Sequence, residues 1–242
     1  MTRIHLLTPG QQEPFPPVEC ALGEPDGLLA AVGDLSSERL LDAYRHGIFP
    51  WYSDEQPILW WSPSRRTVFD TANLHVPRRL SRWLRGCSWQ IRADSAFADV
   101  MRACAAPRRR ERNTWITAEM LEAYQQLHRL GHAHSIEAWD GDRLVGGIYG
   151  VATGRMFCGE SMFSAETNGS KVALLALCRV LRDWDFPLLD AQVASDHLST
   201  LGAREMPRAA YCAEVARLSA LPGVEGNWRE KWPPIHAPEL AS

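Results

Sequence analysis

The sequence predicts an α+β protein with a small N-terminal domain and a larger second domain. Three observations carry this prediction. Three strand-like segments joined by short turns follow one another between residues 133 and 162. The dense apolar pattern of Lys171–Leu181 is typical of a buried helix, and a short apolar strand, Leu188–Leu189, comes after it. Strands, helix, strand and helix in this order favour an α+β fold.

The composition is that of a globular protein without an overall basic charge. The chain has 242 residues, of which 45% are hydrophobic and 23% charged, and its net charge is −3. This length allows one large domain or two modest ones. Almost all of the basic residues are arginine, which suits bidentate phosphate contacts, although a biased genome composition produces the same excess.

Cysteine spacing and hydropathy bear on the compartment. The six cysteines are widely spaced and form no Cys-x-x-Cys pair, which argues against a zinc ribbon and a disulfide-stapled secreted domain. The first residues have no apolar core of a signal peptide, and no apolar stretch approaches the roughly 18 residues of a membrane span. We therefore expect a cytoplasmic protein without a membrane partner.

Residues 1–63 are predicted to form the small N-terminal domain, and residues 64–242 the larger one. An irregular arm rich in Pro and Gly comes first, and Leu28–Val32 is a short strand. Ser36 or Ser37 can then cap a helix.

Aromatic residues and prolines concentrate just before the domain boundary. Residues 47–52 read Gly-Ile-Phe-Pro-Trp-Tyr, and residues 59–63 read Leu-Trp-Trp-Ser-Pro. This stiff surface is either a packed hinge between domains or a stacking platform for a nucleic acid base. Each stacked base contributes about 1–3 kcal/mol.

Two arginine clusters follow in the larger domain. Pro77 opens a helix on which Arg78, Arg82 and Arg85 share one face, and Arg108–Arg112 lies on a loop. A charge run is usually only a solvated face. Because two such runs and an aromatic platform occur in an acidic chain, contact with nucleic acid is favoured.

Caps, periodicity and turn residues predict the remaining elements. Asp94 and Thr117 precede amphipathic segments as N-caps, and Asp140-Gly141 and Thr153-Gly154 mark turns. The predicted elements are a strand at Trp89–Arg92, helices from Asp94 to about Cys104 and from Thr117 to Gly131, strands at Ala133–Trp139, Leu144–Ala152 and Met156–Met162, the buried helix, the strand at Leu188–Leu189, and a helix from Pro207 to Leu218.

Two carboxylates and a carboxamide lie at the ends of apolar elements. Glu160 follows a strand that ends on Gly159, while Asp190 and Gln192 follow the short apolar strand. A spacing of two places Asp190 and Gln192 on one face of that strand. Burial there can shift a pKa toward acid–base chemistry. Alternatively, these groups only provide hydrogen bonds at helix and strand ends.

Two further constellations are weaker. His132 and His134 could face one way as metal ligands, but no third ligand is evident, so a hydrogen-bonded strand pair is preferred. Cys158 could be a nucleophile with His197 as its base, but no nucleophile-elbow motif surrounds it, so a buried cysteine is preferred. Neither a phosphate-binding P-loop nor a dinucleotide fingerprint occurs, and we expect no cofactor and no metal.

Seven longer motifs stand in a fixed order between about residues 27 and 211. They are Gly-Asp-Leu-Ser at 33–36, Tyr-x-x-Gly-Ile-Phe-Pro-Trp at 44–51, Leu-Trp-Trp-Ser-Pro at 59–63, Thr-Trp-Ile-Thr at 114–117, Gly-His-Ala-His-Ser-Ile-Glu at 131–137, Phe-Cys-Gly-Glu-Ser-Met-Phe-Ser at 157–164 and Asp-x-Gln-Val-x-x-Asp-His at 190–197. In these motifs the chain resembles the leucyl/phenylalanyl-tRNA–protein transferase family.

The resemblance implies an acetyltransferase-type (GNAT-like) C-terminal domain with a mostly antiparallel sheet, plus a small N-terminal α+β domain. It implies transfer of Leu, Phe or Met from aminoacyl-tRNA to the α-amine of proteins that begin with Arg or Lys, which marks them for N-end-rule degradation. The partners would be aminoacyl-tRNA and such proteins. We expect a monomer.

The resemblance also assigns residues. Asp190 and Gln192 match the proposed catalytic pair, with Glu160 beside the reacting amine. Trp51 and Trp115 match positions around the terminal adenosine of the tRNA. The predicted tRNA-binding set also includes Tyr44 and, because they share one helix face, Arg78, Arg82 and Arg85. The apolar pocket for the donor side chain comprises Ile148, Phe157, Met162, Leu174, Leu177 and Leu189. Ile148 and Leu177 stand at positions where Met and Phe are familiar in the family, which leaves the preference for Leu or Phe as donor open.

Two mechanisms and two rival functions remain open at this point. Asp190 could take the amine proton itself, or polarise Gln192 while the ribose 2′-hydroxyl relays the proton. The rival functions are an N-acetyltransferase and a non-catalytic module that binds tRNA or protein N-termini. The usual coenzyme A loop, Arg/Gln-x-x-Gly-x-Gly/Ala, is missing before the buried helix, which argues against acetyl-CoA as the donor.

Overall fold

The strands form two sheets in the computed structural model, which describes residues 4–106 and 116–241. The first sheet has four strands in the order β1-β2-β4-β3. In this sheet β1 runs parallel to β2, whereas β4 pairs antiparallel with β2 and β3. The strands are β1 (His5–Leu7), β2 (Leu28–Val32), β3 (Phe49–Pro50) and β4 (Leu59–Trp61).

The second sheet has eight strands in the order β11-β5-β10-β9-β8-β7-β6-β12. Its strands β9 and β10 run parallel, and its other neighbouring strands pair antiparallel. The strands are β5 (Arg65–Asp70), β6 (Gln90–Ala93), β7 (Ala133–Asp140), β8 (Arg143–Thr153), β9 (Met156–Ser164), β10 (Leu188–Gln192), β11 (Arg204–Pro207) and β12 (Ile235–His236).

Most helices begin where the sequence offers a capping side chain or a proline. Ser36 accepts a hydrogen bond from the backbone N–H of Arg39, and Thr117 accepts one from Met120, as predicted. The helices are α1 (Ser37–Arg45), α2 (Arg78–Leu84), α3 (Phe97–Ala105), α4 (Ala118–Arg129), α5 (Gly169–Asp183), α6 (Asp196–Ser199) and α7 (Arg208–Ser219).

The eight-stranded sheet separates two clusters of buried apolar side chains. On one side, the α1 side, lie α1, α3, α4, α7 and the four-stranded sheet; on the other, the α5 side, lie α2, α5 and the C-terminal residues. Successive strand residues face opposite sides, so Cys158 and Leu188 lie on the α1 side, and Phe157 and Leu189 on the α5 side.

The α+β class is confirmed, and so are most of the predicted elements. The three strands between residues 133 and 162 agree with β7, β8 and β9 to within two residues at each end. The buried helix is α5, along which every residue from Val172 to Cys178 is buried.

Several strands escaped the sequence interpretation. These are β1, β3, β4, β5, β11 and β12, of which five have at most four residues. Strands this short show too little alternation to reveal their period. The remaining one, β5, is buried at its four central residues and therefore does not alternate either.

The prediction that Asp94 caps α3 is wrong. Its carboxylate instead accepts hydrogen bonds from the backbone N–H groups of Ser135 (2.9 Å) and Trp228 (2.7 Å). The segment before α3 is held by Glu137 of β7, which accepts hydrogen bonds from the backbone N–H groups of Ser95 and Ala96, each at 3.0 Å. A contact with a distant strand leaves no signal in the local sequence.

In the part of the chain that the structure describes, no helix has the length and apolar character that crossing a bilayer requires.

Candidate active site

Two irregularities in adjacent strands create the candidate site. The pairing of β9 with β10 ends at Cys158 and Asp190. Toward β8, Tyr149 pairs with Ser161 and Gly150 with Gly159, so that Glu160 is an extra residue of β9. Pairing of β10 with β5 also shifts after Asp190. Such bulges redirect side chains and are frequent beside active sites.

Asp190 is completely enclosed on the α1 side of the sheet. Its Oδ1 accepts hydrogen bonds from Nε of Arg66 (2.8 Å) and from the backbone N–H of Gln192 (2.8 Å). Its Oδ2 accepts from Nη2 of Arg66 (2.6 Å) and from the Tyr211 hydroxyl (2.8 Å). Both oxygens are therefore occupied, and neither reaches the surface.

Arg66 is the cation that keeps Asp190 in place. It is 1% exposed, and its remaining nitrogen, Nη1, donates to the carbonyl oxygen of Gly47 at 3.1 Å. The rings of Phe49 and Tyr211 lie 4.5 and 4.7 Å from its guanidinium carbon, within the range of cation–π attraction. A buried guanidinium with all of these partners fixes the Asp190 carboxylate rigidly.

Glu160 has a different environment. It retains 8% of its surface. Its Oε1 accepts hydrogen bonds from the Tyr44 hydroxyl (2.7 Å) and from Nε2 of Gln192 (2.8 Å), and its Oε2 accepts from the Tyr124 hydroxyl (3.2 Å). The two tyrosine hydroxyls also contact each other. Burial raises the pKa of Glu160 to about 7, against the hydrogen bonds from the two tyrosines, which lower it.

Gln192 connects the two carboxylates. Its backbone N–H binds Asp190, while its side-chain amide binds Glu160. It adopts a left-handed conformation with a φ of 59°, which is uncommon for a residue with a side chain. The three residues predicted as catalytic are therefore brought together. Asp190 is bound by Arg66 and has no exposed surface, whereas Glu160 keeps 8% of its surface exposed.

The six residues predicted as the donor pocket also converge. They all belong to the apolar cluster on the α5 side, and Met162 is the one that is only partly buried. Gly159 lies beside them, because a Cβ atom there would come within 3.7 Å of Ile148 Cδ1 and Leu189 Cδ2. The pocket residues and the carboxylates thus occupy opposite sides of the sheet, next to the point where β9 and β10 separate.

Comparison with known proteins decides the family. The model of the leucyl/phenylalanyl-tRNA protein transferase matches residues 68–216, and the model of its N-terminal domain matches residues 33–64. The leucyl/phenylalanyl-tRNA–protein transferase of Xanthomonas campestris pv. campestris (strain B100) is 56% identical over 99% of this chain and 97% of that protein. The chain belongs to the leucyl/phenylalanyl-tRNA–protein transferase family.

Other relatives in this transferase family agree. The transferase of Xanthomonas euvesicatoria pv. vesicatoria (strain 85-10) is 60% identical over 95% of this chain and 92% of that protein. The transferase of Thiobacillus denitrificans (strain ATCC 25259 / T1) is 56% identical over 88% of this chain and 94% of that protein.

The aromatic residues of this transferase divide between core and surface. Trp60 and Tyr52 are buried, whereas Trp51 is 47% exposed and packs edge-on against Trp61, with ring centroids 5.8 Å apart. Tyr44 has no exposed surface, so we assign it to Glu160 rather than to stacking on adenosine. Trp115 lies outside the described residues, as do Arg108–Arg112 of the second basic cluster.

The first basic cluster lies on the surface of α2. Arg78, Arg82 and Arg85 are exposed, while Leu80 and Leu84 on the opposite face are buried. None of these three arginines forms an ion pair with another described residue. They are therefore free to meet an anionic ligand.

The metal and cysteine interpretations of the sequence find no support. His134 is buried and its Nδ1 lies 2.8 Å from Oδ2 of Asp94, and its ring stacks on Trp228 at 3.8 Å. No group of three or more metal-binding side chains occurs among residues 4–106 and 116–241. Cys158 is buried, and burial raises the pKa of its thiol well above the usual value.

Sequence reasoning missed three supporting residues of the site. These are Arg66, Tyr124 and Tyr211, each fully buried. Burial raises the pKa values of Tyr124 and Tyr211 well above the usual value, so both remain hydroxyl donors to the carboxylates. The available signal was Arg66 itself, since an arginine that lies two residues before Val68-Phe69 in a buried strand requires a buried anion.

Proposed function

We propose that this chain transfers Leu or Phe from aminoacyl-tRNA to the α-amine of a protein, and that Glu160 accepts the proton of that amine. The family supports the reaction. The observation that supports the assignment is the contrast between the two carboxylates. Asp190 has no exposed surface and each of its oxygens accepts two hydrogen bonds, whereas Glu160 keeps 8% of its surface exposed and its Oε2 accepts one hydrogen bond. Its pKa of about 7 suits a general base near neutral pH.

In the proposed reaction, the lone pair of the amine nitrogen attacks the carbonyl carbon of the aminoacyl ester. A C–N bond forms, and the amine gives a proton to the Glu160 carboxylate. The bond between the carbonyl carbon and the ribose 3′-oxygen then breaks, and the oxygen leaves with the electron pair. Glu160 returns the proton to this oxygen, so that the carboxylate is regenerated and atoms and charge balance.

Asp190 and Gln192 have positioning roles in this proposal. The Asp190 carboxylate accepts a hydrogen bond from the backbone N–H of Gln192, and this bond stabilises the left-handed backbone conformation of Gln192. The Gln192 amide in turn binds Oε1 of Glu160 and fixes its orientation. Two mechanisms were considered from the sequence, namely direct proton transfer to Asp190 and a relay through the ribose 2′-hydroxyl. The enclosure of Asp190 disfavours the first of them.

The finer features of the protein are proposed on the same basis. We infer a GNAT-like C-terminal domain at residues 64–242, supported by the parallel pair β9 and β10 joined through α5 in an otherwise antiparallel sheet. Residues 1–63 would be the N-terminal domain. The acceptors are proteins that begin with Arg or Lys, whose modification marks them for degradation, and the enzyme acts as a cytoplasmic monomer.

A label-transfer assay tests the reaction. The protein is incubated with radiolabelled Leu-tRNA or labelled acetyl-CoA and with peptides that begin with Arg, Lys or Met. We expect leucine to move to the Arg and Lys peptides only. Transfer of acetyl label would support the N-acetyltransferase, and binding of tRNA without any transfer would support the non-catalytic module.

Donor choice is predicted from the pocket. The six pocket residues provide apolar atoms only, so polar donor side chains would lose their hydrogen bonds on entry. Because one methylene in such a pocket is worth only about 1–3 kcal/mol, shape must distinguish apolar donors. We expect Leu, Phe and Met to be used well, and the β-branched Val and Ile poorly.

Met162→Ala tests this pocket. Removal of the partly buried side chain should lower the use of Leu and narrow the difference between Leu and Phe. The measurement is the ratio of kcat/KM values for Leu-, Phe-, Val- and Ile-tRNA, with Met206→Ala on β11 as the control because it packs against the other cluster. If Ile is used as well as Leu, or if all ratios are unchanged in Met162→Ala, the pocket is elsewhere.

The exposed arginines of α2 are predicted to bind the tRNA backbone. The slope of the logarithm of the Leu-tRNA binding constant against the logarithm of the salt concentration measures the number of phosphate contacts. Replacement of Arg78, Arg82 and Arg85 by alanine should make this slope less steep by about 2 to 3, because each lost phosphate contact removes about 0.7 to 0.9. The control is Arg155→Ala. Arg155 comes just before the first residue of β9 and is paired with Asp185. Equal losses with whole tRNA and with aminoacyl-adenosine would show that the α2 arginines are structural.

A further inference from the structure

A second cationic surface lies at the edge of the eight-stranded sheet. There β6, β12 and the residues before β12 line an open cavity of about 510 Å³. Its charged or titratable lining residues are Arg92, Arg229 and His236, and its other lining residues are neutral. Among the residues described, no Asp or Glu lines this cavity, although acidic residues outnumber basic ones in the chain.

The two arginines of this cavity are free to bind a ligand. Arg92 has its guanidinium carbon 4.9 Å from the ring centre of Trp139 and approaches Gln90 Oε1 at 3.5 Å, so its side chain is already oriented. Arg229 is exposed. In the described part of the chain neither forms an ion pair, whereas Glu239, the carboxylate nearest along the chain to His236, binds the backbone N–H of His236 and lies 3.5 Å from Arg179.

Strand register places this cavity at the same end of the sheet as Glu160. Ile91 pairs with Ala138, Ala138 with Gly146, and Gly146 with Ser164, which is the last residue of β9. Residues 90–93 are therefore level with the segment that follows Glu160. Strand β6, which carries Arg92, is three strands away from β9, which corresponds to about 14 Å at the usual strand spacing.

We propose that this cavity binds a phosphate group of the donor tRNA. This inference rests on the proposed function, because the aminoacyl-tRNA is the substrate that brings many phosphates to this end of the sheet. Guanidinium groups match phosphate oxygens through paired hydrogen bonds, and the cavity offers two of them without a competing carboxylate. The RNA chain would extend from the reaction centre at Glu160 across the ends of β8 and β7 to β6.

The experiment measures RNA binding separately from turnover. Binding of Leu-tRNA is followed by fluorescence anisotropy at several salt concentrations, for wild type and for Arg92→Ala/Arg229→Ala. Arg229→Glu is a second variant, which is safe for folding because Arg229 is exposed. The control is Arg217→Ala, an exposed arginine that is paired with Glu214 on α7. Release of bound tRNA by inorganic phosphate and by a poly-glutamate peptide is also measured.

We expect the slope of the logarithm of the binding constant against the logarithm of the salt concentration to be less steep by about 1.4 to 1.8 in the double variant, since each phosphate contact contributes about 0.7 to 0.9. Arg217→Ala should keep the wild-type slope, and Arg229→Glu should weaken tRNA binding more than Arg229→Ala. The ratio of kcat/KM for Leu-tRNA to that for aminoacyl-adenosine should fall in the double variant.

Other outcomes would overturn the proposal. An unchanged slope in the double variant would show that the cavity does not contact the RNA. Release of tRNA from wild type by poly-glutamate but not by inorganic phosphate would indicate an acidic protein segment as the ligand. If wild type transfers no leucine at all, the proposed function fails, while the salt slope still decides whether the cavity binds RNA.

Discussion

Replacement of Glu160 by glutamine should lower kcat for leucine transfer by about 10²- to 10⁴-fold, the usual contribution of a general base. The amide keeps the shape of the side chain and can still bond to Tyr44 and Gln192. It cannot accept a proton from the attacking amine. The measurement is single-turnover transfer of leucine from Leu-tRNA to an Arg peptide, together with the affinity for Leu-tRNA, which should change little.

Glu214→Gln is the matched control for this variant. Glu214 lies on α7 and pairs with exposed Arg217, away from the bulges of β9 and β10. Its replacement should leave the transfer rate at the wild-type value. A Glu160→Gln enzyme with near-normal turnover would assign the proton to another acceptor, of which the ribose 2′-hydroxyl is the first candidate.

Arg66→Met should reduce the free energy of unfolding by about 3–5 kcal/mol, the usual cost when one partner of a buried ion pair is removed. Methionine fills a similar volume between the rings of Phe49 and Tyr211. It leaves the enclosed Asp190 carboxylate with hydrogen bonds from Gln192 and Tyr211 but without a cation. Urea unfolding, followed by tryptophan fluorescence, gives the difference.

Two controls accompany Arg66→Met. Arg66→Met/Asp190→Leu removes both charges and should recover much of the lost stability, because an apolar pair can replace a buried ion pair. Arg217→Met breaks an exposed ion pair and should change stability by less than about 1 kcal/mol. If Arg66→Met is as stable as Arg217→Met, the buried pair does not hold the site together.

The sequence revealed those parts of the fold whose pattern is long. The strands β7, β8 and β9 have eight or more residues each and are separated by turn residues. The helix α5 has 15 residues with a dense apolar pattern. Over such lengths the period and the caps determine the type of element.

The arrangement of the site could not be predicted in the same way. Spacing placed Asp190 and Gln192 on one face of a strand, but it gave no sign that Arg66, 124 residues earlier, would cover Asp190. Likewise, the bulge that redirects Glu160 depends on its register with Tyr149 and Gly150 of β8. Contacts between distant segments decide which carboxylate is fully enclosed and which keeps some exposed surface, and our proposal of Glu160 as the base rests on that difference.

The pH dependence of kcat/KM tests the role of Glu160 most directly. Burial raises the pKa of its carboxyl group to about 7, and the group must be deprotonated to act, so the rate rises with pH through this value. The acceptor α-amine, with a pKa of about 7.7 to 8.0, must also be neutral. We therefore predict a limiting slope of about two at low pH for log kcat/KM in wild type and of about one in Glu160→Gln. A slope of two that persists in Glu160→Gln would contradict the assignment of Glu160 as the proton acceptor.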